Sequence, residues 1–563
     1  MNYDIFLPQE RVEKEAPLWS NRILTQYVAE HAVERAGHVA VAEVHPDPEG
    51  VPEVKREPYD LTYGQLWREA RFLAFYLRKR GIRPGDVVSV QLPNWTEFVI
   101  IALALTRIGA VINSIAPIYR RKEMSFFINR SHSRGIVIPT VLRGFNYLKM
   151  VEDIRSECPD LEMIWTVGDP SLPTSLDHPY SIEGRDAPSE EKLGPMPDPN
   201  EVAFVLFTAG TTGEPKGVLH THNTADAIEK PLSEALCLTS EDVFWFPSTV
   251  GHGTGHFHGV IGAMRLGATL VLPDKWDFRS IDYTLNKWHC TYTVGATPFL
   301  IDTIEHGSEE ALRHMRIFLC GGAYIPEEVM RRAYRRMPNC SVLRCWGQSE
   351  NGTVTVSRPS DPLEKVIRTD GRLNLDKELQ VRDSETKKVL PPGVEGELWT
   401  RGPSLFVGYL NSPDKTRKSI DEDGWLQTGD RGRLDRDGYM TMSGRSKDII
   451  IRGGENFPVK EIEDLLSTHP AIVEVAIVAM PDQRLQEKAC AYIAVRSGTH
   501  FNFQEMIRFL DSKGIAKRKY PEHLEVLPEL PKTTTGKIRK RDLRTMIAEK
   551  IGLPEVNVYE SAY

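Results

Sequence analysis

Apolar positions recur through the first third of the chain with two alternating rhythms. Thr62 and Gln65 make a Thr-x-x-Gln capping box, and Leu66, Ala70, Leu73 and Leu77 follow at helical spacing before Gly81. That combination predicts an amphipathic helix with defined ends. The apolar run Val87-Val88-Ser89-Val90 predicts a strand, and the longer run from Phe98 to Leu105, which stops before Gly109, predicts a helix. Strand and helix alternating in this way predict a parallel sheet with helices on its faces. The same alternation resumes after 200, with strand-like runs at 202–207, 269–272 and 316–320. Residues 167–200 are rich in Pro, Asp, Ser and Glu without a period, so they read as an exposed connection inside this α/β region.

After about residue 365 the pattern shortens. Segments at 378–381, 396–400 and 439–442 are separated by Gly, Pro and Asp turns, which predicts a small β-barrel or sheet. Past Gly444 and Arg445 it changes again, to a helix around 461–466, strands at 473–479 and 489–495, and a helix near 504–512. This reads as a compact α+β domain of about 115 residues.

Composition narrows the function classes. A chain of 563 residues with 40% apolar and 26% charged residues is that of a globular protein with two or more domains. A net charge of -8 supplies no global field for nucleic acid. The basic runs at Arg331, Arg332, Arg335 and Arg336, at 517–519 and at 537–541 read as solvated helix faces or ends. Seven scattered cysteines without CxxC spacing argue against a zinc site and a disulfide framework. The opening Met1-Asn2-Tyr3-Asp4-Ile5-Phe6 lacks the basic start and apolar core of a signal peptide. The longest apolar stretch, 98–105, is well short of the ~20 residues of a membrane helix. A cytoplasmic protein without a membrane span is expected.

Thr208-Ala209-Gly210-Thr211-Thr212-Gly213-Glu214-Pro215-Lys216-Gly217-Val218 follows the run at 202–207. Glycine lets backbone N–H groups converge, the threonines add hydroxyl donors and Lys216 adds a positive charge. Taken alone, the segment is either a phosphate-binding loop or an ordinary strand-to-helix turn. It is not the P-loop consensus.

Five further segments appear in order: Trp346-Gly347-Gln348-Ser349-Glu350; Gly396-Glu397-Leu398 with Gly408-Tyr409; Thr428-Gly429-Asp430; Gly444-Arg445-Ser446-Lys447-Asp448 leading to Arg452-Gly453-Gly454-Glu455-Asn456; and Pro531-Lys532-Thr533-Thr534-Thr535-Gly536-Lys537. With the 208–218 loop, their identity, order and spacing resemble the adenylate-forming superfamily of acyl-CoA synthetases, peptide-synthetase adenylation domains and luciferases. The resemblance covers nearly the whole chain. It implies an α/β fold, with a large N-terminal domain (1–446) of parallel α/β sheets plus a small β-barrel, and a smaller mobile α+β C-terminal domain (447–563) hinged at Lys447.

The chemistry implied is activation of a carboxylic acid by ATP and Mg²⁺ to acyl-AMP, with release of pyrophosphate, then transfer to the thiol of coenzyme A. By resemblance, Thr208, Gly210, Thr211, Thr212 and Lys216 lie over the β- and γ-phosphates. Gly321, Gly322, Ala323, Trp346 and Gly347 pack around adenine, and the Ser349 hydroxyl serves the α-phosphate. Serine at 349 and tryptophan at 346 stand where the family more often has threonine and tyrosine. Glu350 is the expected Mg²⁺ ligand, a hard oxygen donor. Asp430 would bind the ribose hydroxyls with Arg445 close by. Lys537 is the expected catalytic lysine, joined in the catalytic set by Glu350 and Thr208. Gly453 and Gly454 match the loop lining the passage for the pantetheine arm.

Gly251-His252-Gly253-Thr254-Gly255-His256-Phe257-His258-Gly259 stands where the family has its substrate gate, with His252 the closest match. Gly295, Ala296 and Thr297 supply another wall of the acyl pocket. Three histidines in seven residues also suggest a metal, but no matching carboxylate or cysteine spacing accompanies them. The resemblance is nearest to short- and medium-chain fatty acyl-CoA synthetases and cyclohexanecarboxylate-CoA ligases. A medium-chain or alicyclic acid is therefore expected, with aryl acids next. The alternatives are loading of a carrier-protein thiol and a non-catalytic nucleotide-binding regulator. The partners expected are the acid, ATP and CoA, with monomer and homodimer both open.

Overall fold

The structure, a computed structural model, describes residues 5–45, 58–176, 187–208, 215–322, 325–445, 450–452, 455–457, 459–482, 485–514, 517–533 and 536–553. The capping box at Thr62 starts the helix Tyr63–Lys79: the Gln65 N–H donates to Thr62 Oγ1 at 3.3 Å, and Gln65 Oε1 accepts from the Thr62 N–H at 2.9 Å. The strand Val87–Val90 and the helix Thr96–Arg107 follow as the pattern predicts. Every residue of the second helix is buried, including the polar and charged residues at its two ends, and its middle, residues 98–105, is apolar on all sides.

Two large sheets carry the N-terminal part. In the first, the neighbouring strands Ser341–Gln348, Ile317–Gly321, Tyr292–Gly295, Val243–Trp245, Thr269–Pro273 and Val39–Val44 run parallel, with antiparallel strands at both edges. In the second, Val202–Thr208, Val111–Ser114, Val87–Val90, Gly135–Pro139 and Met163–Val167 are parallel, and Lys216–Thr221 is added antiparallel at the edge. One continuous apolar core joins both sheets and their helices, as layered α/β architecture requires.

The β-rich stretch is a four-stranded antiparallel sheet of Glu378–Arg382, Gly396–Arg401, Leu426–Leu434 and Met440–Arg445. The C-terminal sheet pairs Ile472–Asp482 with Gln486–Val495 and adds His523–Leu527 in parallel. Period-two alternation sends its side chains into two cores. Ile477 and Ile493 pack with Ile462 and Leu510 on one face, whereas Ala476, Val478 and Tyr492 pack with Leu543 and Ile547 on the other.

Candidate functional site

Thr208 and Lys216 face each other across an antiparallel pair. Lys216–Thr221 is therefore a strand, where a strand-to-helix turn would lead into a helix. Gly210, Thr211 and Thr212 lie outside the described residues, as do Ala323, Lys447, Gly453 and Gly454. The Lys216 ammonium sits 4.5 Å from the centroid of the Tyr409 ring, within cation–π range. The Tyr409 hydroxyl donates to Glu350 Oε1 at 2.9 Å. Burial, and then the Glu350 charge, push the Tyr409 phenol well up, so it stays a donor. Lys216, Tyr409 and Glu350 thus form one corner.

Asp430 anchors a second corner and is 2% exposed. Its Oδ2 accepts from Trp346 Nε1 at 2.9 Å and from Gln348 Nε2 at 2.9 Å. Trp346 and Gln348 share one face of their strand by the two-residue period. Oδ1 is buried without a hydrogen bond and lies 3.2 Å from Nε of Arg445, its cross-strand partner. The Trp346 ring is built into a core with Val354, Val381, Leu398 and Met440. Gly347, between the two donors, is required by close approach: a Cβ there would lie 2.0 Å from the Gly352 carbonyl oxygen. The Ser349 carbonyl accepts from His220 Nε2 at 2.7 Å. Burial lowers His220 to about 4, which keeps that ring neutral.

Lys537 enters from the C-terminal part on a tight loop, in which the Thr533 N–H donates to the Lys537 carbonyl at 2.7 Å and the Lys537 N–H to Thr533 Oγ1 at 3.1 Å. Its stem lies against Gly322, where a Cβ would stand 3.3 Å from Lys537 Cε. Gly322 also has φ +77°, so a side chain there would be strained as well as crowded. The Lys537 ammonium is lowered to about 8, by desolvation first and by Arg445 second, with Asp430 and Glu350 opposing. Its charge in turn helps burial to hold His252 at about 4. Lys537, Glu350, Asp430, Arg445, Gly322 and His252 are therefore brought into one site.

The glycine-rich segment 251–259 leads into a π-helix at Thr254–Ile261, with Gly253 immediately before it. Such turns are rare and cluster at functional sites. Its three histidines have separate partners. His252 Nδ1 accepts from the Thr254 N–H at 3.3 Å, His256 Nδ1 pairs with Ser114 Oγ at 3.1 Å, and His258 Nδ1 pairs with Glu229 Oε1 at 2.6 Å. Gly295 ends a strand of the large sheet, and Ala296 and Thr297 open the helix Thr297–His306. The start of this helix meets the residue before Lys537: a Cβ on Gly536 would lie 3.4 Å from Pro298 Cγ.

Two participants were missed in the sequence. Tyr409 and Gln348 stand inside quoted motifs, but their partners are 59 and 82 positions away. The two-residue spacing of Trp346 and Gln348 was the one available sign that they act together.

A profile of the AMP-binding enzyme family matches residues 19–410, and one of the AMP-binding enzyme C-terminal domain matches residues 461–537. The chain is similar to the medium-chain fatty-acid–CoA ligase of Escherichia coli K12, with 36% identity over 541 residues covering 96% of this chain and 93% of that protein. It is also similar to the salicyl-AMP ligase / salicyl-S-ArCP synthetase of Mycobacterium tuberculosis H37Rv, with 32% identity and coverage of 94% and 91%. Among solved structures, ATP-bound MatB of Rhodopseudomonas palustris shares the fold, with TM-score 0.80, 24% identity and coverage of 94% and 99%. Sequence, fold and the convergence on Lys537 agree, and the chain belongs to the AMP-binding enzymes of the adenylate-forming superfamily.

Proposed function

We propose that this enzyme is an AMP-forming acyl-CoA synthetase for a medium-chain fatty or alicyclic carboxylic acid. In the first half-reaction a carboxylate oxygen attacks the α-phosphorus of ATP, the bond to the bridging oxygen breaks, and pyrophosphate leaves. In the second, the CoA thiol gives up its proton to solvent, its sulfur attacks the acyl carbon, the bond from that carbon to the phosphate oxygen breaks, and AMP leaves. Two anions must meet first, and their repulsion at a few ångströms costs several kcal/mol at an intermediate dielectric. Cationic groups and fixed donors offset that cost and stabilise the charge that develops.

The observation that carries the reading is the Lys537 side chain, whose end lies against Gly322 and whose partly desolvated ammonium feels the Glu350, Asp430 and Arg445 charges. There it would hold the carboxylate and the bridging oxygen together. The buried Asp430 Oδ1, without a hydrogen bond, fits a ribose hydroxyl, while Trp346 and Gln348 fix the other oxygen. Gly321, Gly322 and Ala323, with Trp346 and Gly347, would enclose adenine. Thr208, Gly210, Thr211, Thr212 and Lys216 would hold the β- and γ-phosphates, and Ser349 the α-phosphate. Glu350 offers a hard carboxylate oxygen oriented by Tyr409, which fits Mg²⁺. The ion would neutralise phosphate charge when bound.

His252, Gly253, Gly295, Ala296 and Thr297 are assigned to the acyl pocket, Gly453 and Gly454 to the pantetheine passage, and Lys447 to a hinge between domains 1–446 and 447–563. Among the described residues no helix is long and apolar enough to cross a membrane, and we assign the enzyme to the cytoplasm. The test is a panel of carboxylic acids assayed for AMP release with and without CoA. Medium-chain or alicyclic acids should turn over with CoA, and a panel in which no acid releases pyrophosphate would overturn the reading. A second reading, transfer to a carrier-protein thiol, is favoured by the mycobacterial relative named for that reaction. It predicts turnover with a phosphopantetheinylated carrier and none with CoA.

A further inference from the structure

The corner of Glu350, Tyr409 and Lys216 is held from behind by the first residues of the chain. Residues 403–410 run along the edge strand Lys216–Thr221: the Val407 N–H donates to the Leu219 carbonyl at 2.9 Å, the Leu219 N–H to Gly408 at 3.0 Å and the Leu410 N–H to Gly217 at 2.7 Å. The Phe406 N–H donates to the Glu350 carbonyl at 2.7 Å. This one segment therefore supports the Glu350 backbone and, through Tyr409, its carboxylate.

On its other side the segment is gripped by residues 6–19. The Arg11 guanidinium donates through Nη1 to the Phe406 carbonyl at 3.0 Å and through Nη2 to the Leu405 carbonyl, while Nε donates to Glu15 Oε2 at 3.0 Å. The Arg11 and Glu15 side chains are only 9% and 5% exposed. The Phe6 N–H donates to the Val407 carbonyl at 2.6 Å, and Trp19 Nε1 donates to the Pro403 carbonyl at 3.0 Å. Phe6 also packs on the core that contains Phe406 and Tyr409. Burying an arginine is expensive, and this one serves two backbone carbonyls, of which that of Leu405 belongs to the same peptide group as the Phe406 N–H that reaches Glu350. The matched family region begins only at residue 19, so most of this arm precedes it.

We propose that residues 6–19 are a positioning arm for the phosphate-facing corner of the site, with Arg11 as its positioning residue. The arm fixes where the Glu350 carboxylate and the Lys216 ammonium stand, and so sets the affinity for the magnesium–ATP complex in the first half-reaction. The proposal rests on the role given to Glu350 above.

The test uses the full chain with Arg11→Met and Arg11→Lys, assayed for acid-dependent pyrophosphate exchange across a titration of MgATP and for thioester formation from supplied acyl-AMP. Arg11→Met should raise the half-saturating MgATP roughly tenfold, the scale of losing charge-assisted hydrogen bonds, while transfer from acyl-AMP stays within about twofold. Arg11→Lys should recover part of that loss. Combined with Tyr409→Phe, Arg11→Met should cost less than the product of the two single effects, because both act on one corner. If Arg11→Met does not accumulate folded, Trp19→Phe keeps an aromatic side chain, removes one hydrogen bond to the segment, and should move MgATP half-saturation in the same direction by about two- to threefold. Unchanged half-saturation in the folded variants, or equal loss in both half-reactions, overturns the arm. Glu350→Gln with wild-type exchange would instead overturn the function assigned to Glu350, and Glu350→Gln inactive with Arg11→Met unaffected would overturn the arm alone.

Discussion

Lys537 should make ATP binding a proton-uptake event. Its ammonium is lowered to about 8 from an ordinary 10.5, because desolvation and then Arg445 disfavour the charge. The triphosphate brings several negative charges to that place and should return the lysine to its ordinary range. With those two values, binding takes up about 0.1 proton at pH 7, about 0.5 at pH 8 and about 0.9 at pH 9. Calorimetric titration in pairs of buffers with different ionisation enthalpies reads the proton count directly. Lys537→Ala should flatten the profile between pH 8 and 9, where His252 at about 4 contributes nothing. Equal uptake at pH 9 in wild type and Lys537→Ala would refute the argument, as would uptake near zero in both. The same shift sets a stability term with a fixed sign. The folded pKa is the lower one, so the penalty is fully present below pH 8 and disappears as the pH rises through 10.5. It amounts to about 3 kcal/mol at most, and Lys537→Met should raise Tm at pH 7 in the absence of ATP.

Gln348→Met removes one of the two donors to Asp430 Oδ2 and the donor to the Thr428 carbonyl, and should weaken ATP binding about tenfold in equilibrium titrations and lower Tm by a few degrees, because a buried carboxylate loses a partner. Gly322→Ala puts a methyl against Lys537 Cε in a left-handed backbone; single-turnover assays should show acyl-AMP formation slowed far more than transfer to CoA, and equal slowing would count against the docking geometry. Lys537→Ala should abolish acid-dependent pyrophosphate exchange yet spare most thioester formation from supplied acyl-AMP. A bulky residue at Gly453 should do the reverse, and unimpaired thioester formation would remove the passage assigned there.

The elements were legible where one local period decided them. Leu66, Ala70, Leu73 and Leu77 line one helix face and are all buried, and the runs at 202–207 and 316–320 are strands of the two large sheets. The strand Lys216–Thr221 was not legible, because Lys216-Gly217-Val218 reads as the end of a loop until its pairing with Phe207 and Thr208 is seen. Nor was the π-helix at Thr254–Ile261, since Gly255 and Gly259 disfavour any helix locally and no residue spacing signals i→i+5 winding. The assembly of Lys537 with Asp430 and Glu350 came from resemblance; residues about a hundred or more positions apart leave no local signal. The pairings of Tyr409 with Glu350 and of Gln348 with Asp430 depend on how two sheets meet, which no residue spacing encodes.

Lys216–Thr221 is the last strand of its sheet, and an uncovered edge strand is a template for pairing with another molecule. Val407, Gly408 and Leu410 occupy the backbone groups of Gly217 and Leu219, so the strip that orients Tyr409 also closes that edge. Substitutions that loosen the strip should therefore lower the yield of monodisperse protein, through chain-to-chain strand addition, before they register as slower turnover.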